Sequence, residues 1–127
     1  MTTEGVHYGT TVIDDLFHCR CLLQDPEEML VIMREAAKVA GVKVVEEGAQ
    51  PLKHEFSPQG LTATLQLSES HLTVHVHGWP ERGYIRVDIS TCGKKADPIK
   101  AADYLRGVFQ PDLNCSKRNV LEHIGPG

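Results

Sequence analysis

The sequence has no excess of positive charge and no long hydrophobic run. Its 13 Lys and Arg against 17 Asp and Glu give a net charge of −4, so it lacks the basic field that holds nucleic acid or an anionic membrane. No stretch approaches the ~18 consecutive apolar residues of a spanning helix, and the N-terminus has no basic-then-apolar signal pattern. We therefore expect a cytoplasmic protein with neither nucleic acid nor membrane among its partners.

Cysteine is scarce, and no glycine-rich phosphate loop is present. The four cysteines, at positions 19, 21, 92 and 115, fit the reduced thiols of a reducing compartment. A zinc site built from Cys19, Cys21 and some of the seven histidines would need a four-ligand spacing that the sequence does not contain. We therefore expect no metal site and no cofactor that is held by a phosphate-binding loop.

Two helices are predicted from their capping residues. Asp25-Pro26 and Asp97-Pro98 each place a carboxylate at the N-cap and a proline at the first helical position. Gly41 is expected to close the first helix and Pro111 to end the second. Apolar residues recur on one face of each helix: Met29, Leu30, Ile32, Met33, Ala36, Ala37 and Ala40 in the first, and Ala101, Ala102, Leu105, Val108 and Phe109 in the second.

Short alternating runs predict strands around the two helices. These runs cover residues 10–17, 42–46, 61–67, 72–77 and 84–89, with a last strand near 117–121. The order of elements predicts a single domain over residues 1–127, an α+β two-layer sandwich in which both helices lie on one face of an antiparallel sheet. The other face of such a sheet is a natural place for a partner subunit.

Reactive residue types are concentrated between residues 68 and 93. Ser70 lies between two alternating runs, His75 and His77 follow it, and Cys92 ends the next run. Each has a plain structural explanation, since a serine suits a turn, a histidine suits the polar side of a strand, and a cysteine packs as a small apolar residue. Only the set as a whole indicates chemistry.

The set resembles the self-cleavage and active-site region of the small prokaryotic S-adenosylmethionine decarboxylases. The resemblance covers most of the chain and rests on motifs at fitting intervals: Glu69-Ser70-His71-Leu72, Trp79-Pro80-Glu81, Thr91-Cys92-Gly93 and Asp97-Pro98. It implies that the chain cuts itself between Glu69 and Ser70 and that Ser70 becomes a pyruvoyl cofactor. The products would be a 1–69 fragment and a pyruvoyl-bearing 70–127 fragment, assembled as a homodimer of processed protomers.

The resemblance also implies roles in processing and protonation. His75, five residues after Ser70, would accept a proton during cleavage, with support from the hydroxyl of Thr62. Cys92 would donate a proton to the decarboxylated carbon, because a proton delivered elsewhere destroys the cofactor by transamination. His77 is the alternative processing base, since it fits the family pattern His-x-Trp-Pro-Glu. We prefer His75 because it is nearer to the scissile bond in sequence.

Substrate binding is the part of the resemblance that fits less well. Phe56 would pack against the adenine of the substrate, and Glu81 would hold its ribose hydroxyls. The chain, however, has Arg82 where the family has tyrosine, and it has two extra residues between Ser70 and the tryptophan. The resemblance as a whole still favours S-adenosylmethionine as the substrate, and these departures keep arginine or ornithine as the alternative. An unprocessed regulatory paralogue without catalytic activity is the second alternative.

Overall fold

The computed structural model describes residues 5–22, 25–54, 60–68, 71–76, 83–93 and 95–127, with the backbone alone between 46 and 54. The described residues form six strands and two helices. The strands are β1 (Val6–Leu16), β2 (Val44–His54), β3 (Gly60–Leu67), β4 (His71–Val76), β5 (Ile85–Cys92) and β6 (Lys117–Gly125), and the helices are α1 (Pro26–Ala40) and α2 (Pro98–Phe109). β2 and β6 run well beyond the stretches that alternation predicted.

The six strands form one sheet in the order β2-β3-β4-β5-β1-β6. Every neighbouring pair is antiparallel. β1 comes first in the sequence but lies between β5 and β6, so the N-terminal and C-terminal halves of the chain are interleaved. The expected antiparallel sheet is confirmed.

Both helices begin where their capping residues predicted. The Asp25 carboxylate accepts a hydrogen bond from the backbone amide of Glu28 at 3.0 Å, and Asp97 accepts from the amides of residues 99 and 100 at 3.1 and 3.2 Å. Gly41 closes α1 in the left-handed conformation, with φ of 78°. Gln110 takes the same conformation after α2, with φ of 52°. The second helix therefore ends before the proline at 111 that was expected to stop it.

Alternation along the strands separates a buried face from an open one. On β4, Leu72, Val74 and Val76 are buried, whereas the residues between them are partly exposed. The buried face packs against the apolar sides of α1 and α2, where Met33 and Phe109 are fully buried. The two-layer sandwich is thus confirmed. Among the residues that the structure describes, no helix is long and apolar enough to cross a membrane.

A buried carboxylate on β1 holds β6 and α2 against that strand. Asp14 of β1 is fully buried and accepts hydrogen bonds from Arg118 Nε at 2.7 Å, from Arg118 Nη2 at 2.9 Å and from Arg106 Nε at 3.2 Å. Arg118 also donates to the exposed Asp103 of α2 at 2.7 Å. The hydrogen bond to Asp14 is the main cause that raises the pKa of Arg118. This cluster stabilises the attachment of the C-terminal strand.

Candidate active site

The face of the sheet that the helices do not cover, hereafter the open face, carries polar side chains in cross-strand rows. One row runs across five strands and contains Thr62, His75, Arg86, Asp15 and Lys117. Cross-strand partners in an antiparallel sheet point to the same side and lie within contact distance. The register therefore gathers two of the predicted site residues at one end of this face.

Thr62 and His75 form a direct side-chain pair within this row. The Thr62 Oγ1 lies 3.0 Å from the His75 Nδ1. The hydroxyl can donate to an unprotonated Nδ1 or accept from a protonated one, so the contact holds the imidazole in either state. A histidine that is oriented by a hydroxyl in this way is suited to general acid–base chemistry.

An aromatic pair borders the row that contains His75. The rings of Phe17 and Tyr84 stack with centroids 4.7 Å apart and an interplanar angle of 7°. The Tyr84 hydroxyl donates to Asp15 Oδ1 at 2.5 Å. Burial and this hydrogen bond raise the pKa of Tyr84 to about 12. The hydroxyl therefore stays protonated at neutral pH and acts as a donor in this row.

Cys92 lies at the other end of the open face. It is the last residue of β5 and is exposed, six residues beyond Arg86, the cross-strand partner of His75. An extended strand rises ~3.3 Å per residue, so the cysteine lies ~20 Å along the sheet from the row of His75. The structure thus brings Thr62 and His75 together but places Cys92 apart from both.

The remaining predicted residues, Phe56, Glu69, Ser70, His77 and Glu81, lie outside the described residues. Their chain neighbours still supply a landmark. His71, which is bonded to Ser70, pairs with Ser90, two residues before Cys92.

The preference for His75 over His77 stays a prediction, because His77 lies outside the described residues. His75 lies four residues along β4 from His71. In an extended strand that separation is ~13 Å. Within one chain, the strand therefore holds the His75 side chain well away from His71, the residue that follows Ser70.

Around Cys92 the structure adds residues that the motifs did not indicate. Gly9 of β1 is the cross-strand partner of Cys92 and also of His123 on β6. A Cβ on Gly9 would clash with the backbone oxygen of Thr91, so this position requires glycine. Alternation of apolar and polar residues could place these strands in a sheet, but it could not show which strands become neighbours.

The other three cysteines range from buried to exposed. Burial is the main cause that raises the pKa of Cys19 to about 12, so this thiol stays protonated. Cys21 and Cys115 are also free thiols. Over the part of the chain that the structure describes, no group of three or more His, Cys, Asp or Glu could hold a metal ion.

A family model described as S-adenosylmethionine decarboxylase matches residues 10–120. The chain belongs to the S-adenosylmethionine decarboxylase family. Its similar curated relatives are named S-adenosylmethionine decarboxylase proenzyme. The protein of Caldicellulosiruptor saccharolyticus is 42% identical over 98 residues, which cover 76% of this chain and 74% of the relative. The protein of Syntrophomonas wolfei is 36% identical over 118 residues, which cover 90% of this chain and 89% of the relative.

A solved structure of the same family name supports the fold. The crystal structure of the adenosylmethionine decarboxylase from Aquifex aeolicus superimposes with a TM-score of 0.73 and covers 92% of this chain and 91% of that chain. At 24% sequence identity, this likeness establishes the two-layer fold. The family membership rests on the sequence matches, and the S-adenosylmethionine decarboxylase family is one of carboxy-lyases.

Proposed function

We propose that this chain is a proenzyme that cleaves itself between Glu69 and Ser70 and then decarboxylates S-adenosylmethionine. Membership of the S-adenosylmethionine decarboxylase family, over residues 10–120, carries the proposal. The retained Ser70, His75 and Cys92 support it, because they supply a nucleophile, a base and a proton donor. The product would serve as an aminopropyl donor for spermidine in the cytoplasm.

Processing uses groups of the chain itself. The Ser70 hydroxyl attacks the carbonyl of Glu69 and loses its proton to the His75 imidazole, and the peptide C–N bond gives way to an ester. Elimination then releases residues 1–69 with a carboxylate end. Water then hydrolyses the new end at residue 70: its nitrogen leaves as ammonia, and a pyruvoyl group remains.

The residues near position 70 fit a pyruvoyl group there. His71, which follows position 70 in the sequence, pairs with Ser90 on β5, at the same end of the sheet as Cys92. The group supplies a carbonyl that binds the substrate amine and accepts the electrons released as carbon dioxide leaves. The Cys92 thiol is exposed on this end and is the chain's own donor for the proton that replaces the carboxylate.

A second copy of the chain would complete the site. Cys92 and the Thr62–His75 pair lie at opposite ends of one open face, ~20 Å apart along the strands. If two open faces pack together with their ends reversed, the histidine of one copy meets the cysteine end of the other. A two-fold axis then generates two equal sites. We therefore infer a homodimer of processed protomers.

The test is intact-mass measurement of the purified protein, followed by an assay of carbon dioxide release from labelled S-adenosylmethionine, arginine and ornithine. We expect two fragments that divide before Ser70, with the mass of a pyruvoyl end on the 70–127 fragment. We expect carbon dioxide release from S-adenosylmethionine alone. The Ser70→Ala variant is the control and should stay intact. A wild-type chain that remains full length after long incubation would contradict the proposal, and release from a basic amino acid alone would change the substrate.

A further inference from the structure

A chain of hydrogen bonds on the open face leads from the edge of the sheet toward Cys92. The Nε2 of His123 on β6 lies 2.8 Å from the Thr11 Oγ1 on β1. The same Thr11 Oγ1 lies 2.6 Å from the Ser90 Oγ on β5. One imidazole and two hydroxyls are therefore connected across three neighbouring strands.

The far end of this chain lies beside the candidate proton donor. Ser90 and Cys92 are two residues apart on the same face of β5, a span of ~7 Å that one water molecule can bridge. Cys92, Gly9 and His123 form the next cross-strand row. Because the middle residue of that row is glycine, no side chain of the row itself separates the imidazole from the thiol.

The position of β6 explains why such a connection would matter. β6 is an edge strand, and His123 is exposed. Packing of two open faces, as proposed above, would remove Cys92 from bulk water, whereas His123 lies on the edge strand, where the packed faces would meet solvent. A thiol that is covered in this way needs another route for its proton.

We propose that His123, Thr11 and Ser90 form a proton relay that restores the Cys92 thiol after each turnover. This inference rests on the proposed function, in which decarboxylation consumes one proton per substrate. The imidazolium N–H bond of His123 breaks as Thr11 takes the proton. Thr11 gives its own proton to Ser90, and Ser90 passes one through a water molecule to the Cys92 thiolate, where an S–H bond forms. Each hydroxyl is regenerated, and His123 takes a new proton from solvent. All three act as positioning residues, because only Cys92 touches the reacting carbon.

The decisive variant is Thr11→Val, which removes the central hydroxyl but keeps the size and shape of the side chain. Thr11→Ser keeps the hydroxyl. Thr73→Val is the matched control, because Thr73 lies on the same face and contacts Thr64 at 3.4 Å without joining the path to Cys92. If circular dichroism shows that Thr11→Val does not fold, His123→Gln provides the same test from the other end of the relay.

Two measurements on the full chain follow the relay. The first is the rate at which iodoacetamide alkylates Cys92 at neutral pH, resolved by peptide mass mapping; it needs no decarboxylation. Alkylation consumes the thiolate, and the relay is the route by which the covered thiol exchanges its proton, so we expect Thr11→Val to react several-fold more slowly. The second is the ratio of turnover to inactivation. It is the number of product molecules formed for each fragment in which transamination has converted the pyruvoyl end to alanine. We expect this number and kcat to fall about tenfold, which is less than the loss of a catalytic acid or base would cause because Cys92 itself is retained, with KM unchanged.

Wild-type values in Thr11→Ser and Thr73→Val complete the expected result. Wild-type behaviour of Thr11→Val in both measurements, in a processed and active background, overturns the relay alone. Equal losses in Thr11→Ser and Thr11→Val also overturn it, since they would mean that these hydrogen bonds only hold β6 in place. A wild-type chain that neither cleaves itself nor releases carbon dioxide overturns the proposed function and the relay together.

Discussion

The hydroxyl of Thr62 helps to orient the imidazole of His75 on the open face. Thr62 contacts His75 Nδ1 at 3.0 Å, and the two residues are directly opposite each other on β3 and β4. A neutral hydrogen bond of this kind contributes about 0.5–1.5 kcal/mol. Its larger effect on reactivity is geometric, because a general base must point at the proton that it removes.

This contact makes a prediction about processing at the scale of one residue. Thr62→Val should slow self-cleavage about tenfold, the equivalent of ~1.4 kcal/mol, because the valine keeps the volume but cannot hold the imidazole. Thr62→Ser should cleave at nearly the wild-type rate. The measurement is the fraction of cleaved chain against time by intact mass. Equal rates for the valine and serine variants would show that the hydroxyl is not used.

At the scale of elements, the Asp14 cluster joins β1, α2 and β6. The carboxylate is fully buried, whereas the side chains of Arg106 and Arg118 are 25% and 18% exposed. Desolvated guanidinium groups that lose their acceptor are costly, because water reaches them only in part. The attachment of the C-terminal strand, which carries His123, therefore depends on a residue far from the open face.

Asp14→Ala should lower the free energy of unfolding by about 3–5 kcal/mol, as expected when one partner of a buried ion pair is removed. Asp103→Ala is the matched control, since Asp103 contacts the same Arg118 but its side chain is 60% exposed. Exposed pairs contribute at most about 1 kcal/mol. Urea unfolding of both variants, with Ser70→Ala added to prevent cleavage, measures the difference. A loss of equal size in both would contradict the assignment of Asp14 as the anchor.

Local patterns predicted the helices and strands themselves, but not which strands lie next to each other in the sheet. The carboxylate–proline starts of α1 and α2 and the alternation of β3, β4 and β5 were readable because they depend on residues close in sequence. The insertion of β1 between β5 and β6 was not, since it depends on pairing between residues about 70–120 positions apart. For the same reason, the motifs identified Thr62, His75 and Cys92 as a set but not the distance between them, nor the path through Thr11.

At the scale of the whole molecule, the separation of His75 from Cys92 predicts complementation between copies. A His75→Ala chain should stay intact on its own, because its partners also lack the base. Co-expression with a Ser70→Ala chain should restore cleavage of the His75→Ala chain, since the Ser70→Ala copy supplies His75 and cannot be cut itself. Tags of different mass on the two chains let intact-mass measurement assign the fragments. Persistent full-length His75→Ala chain in the mixture would mean that the base acts within one copy.

The place of β1 in the sheet determines how two fragments would hold together if the chain is cut as proposed. Cleavage before Ser70 would put β1 in one polypeptide and both of its neighbours, β5 and β6, in the other. The β3–β4 pair would form a third contact between the two. Separation of the fragments would therefore require three strand pairs to break together. Once denatured, however, the fragments would have to find each other by diffusion. The proposed cleavage would thus make recovery from denaturation depend on protein concentration.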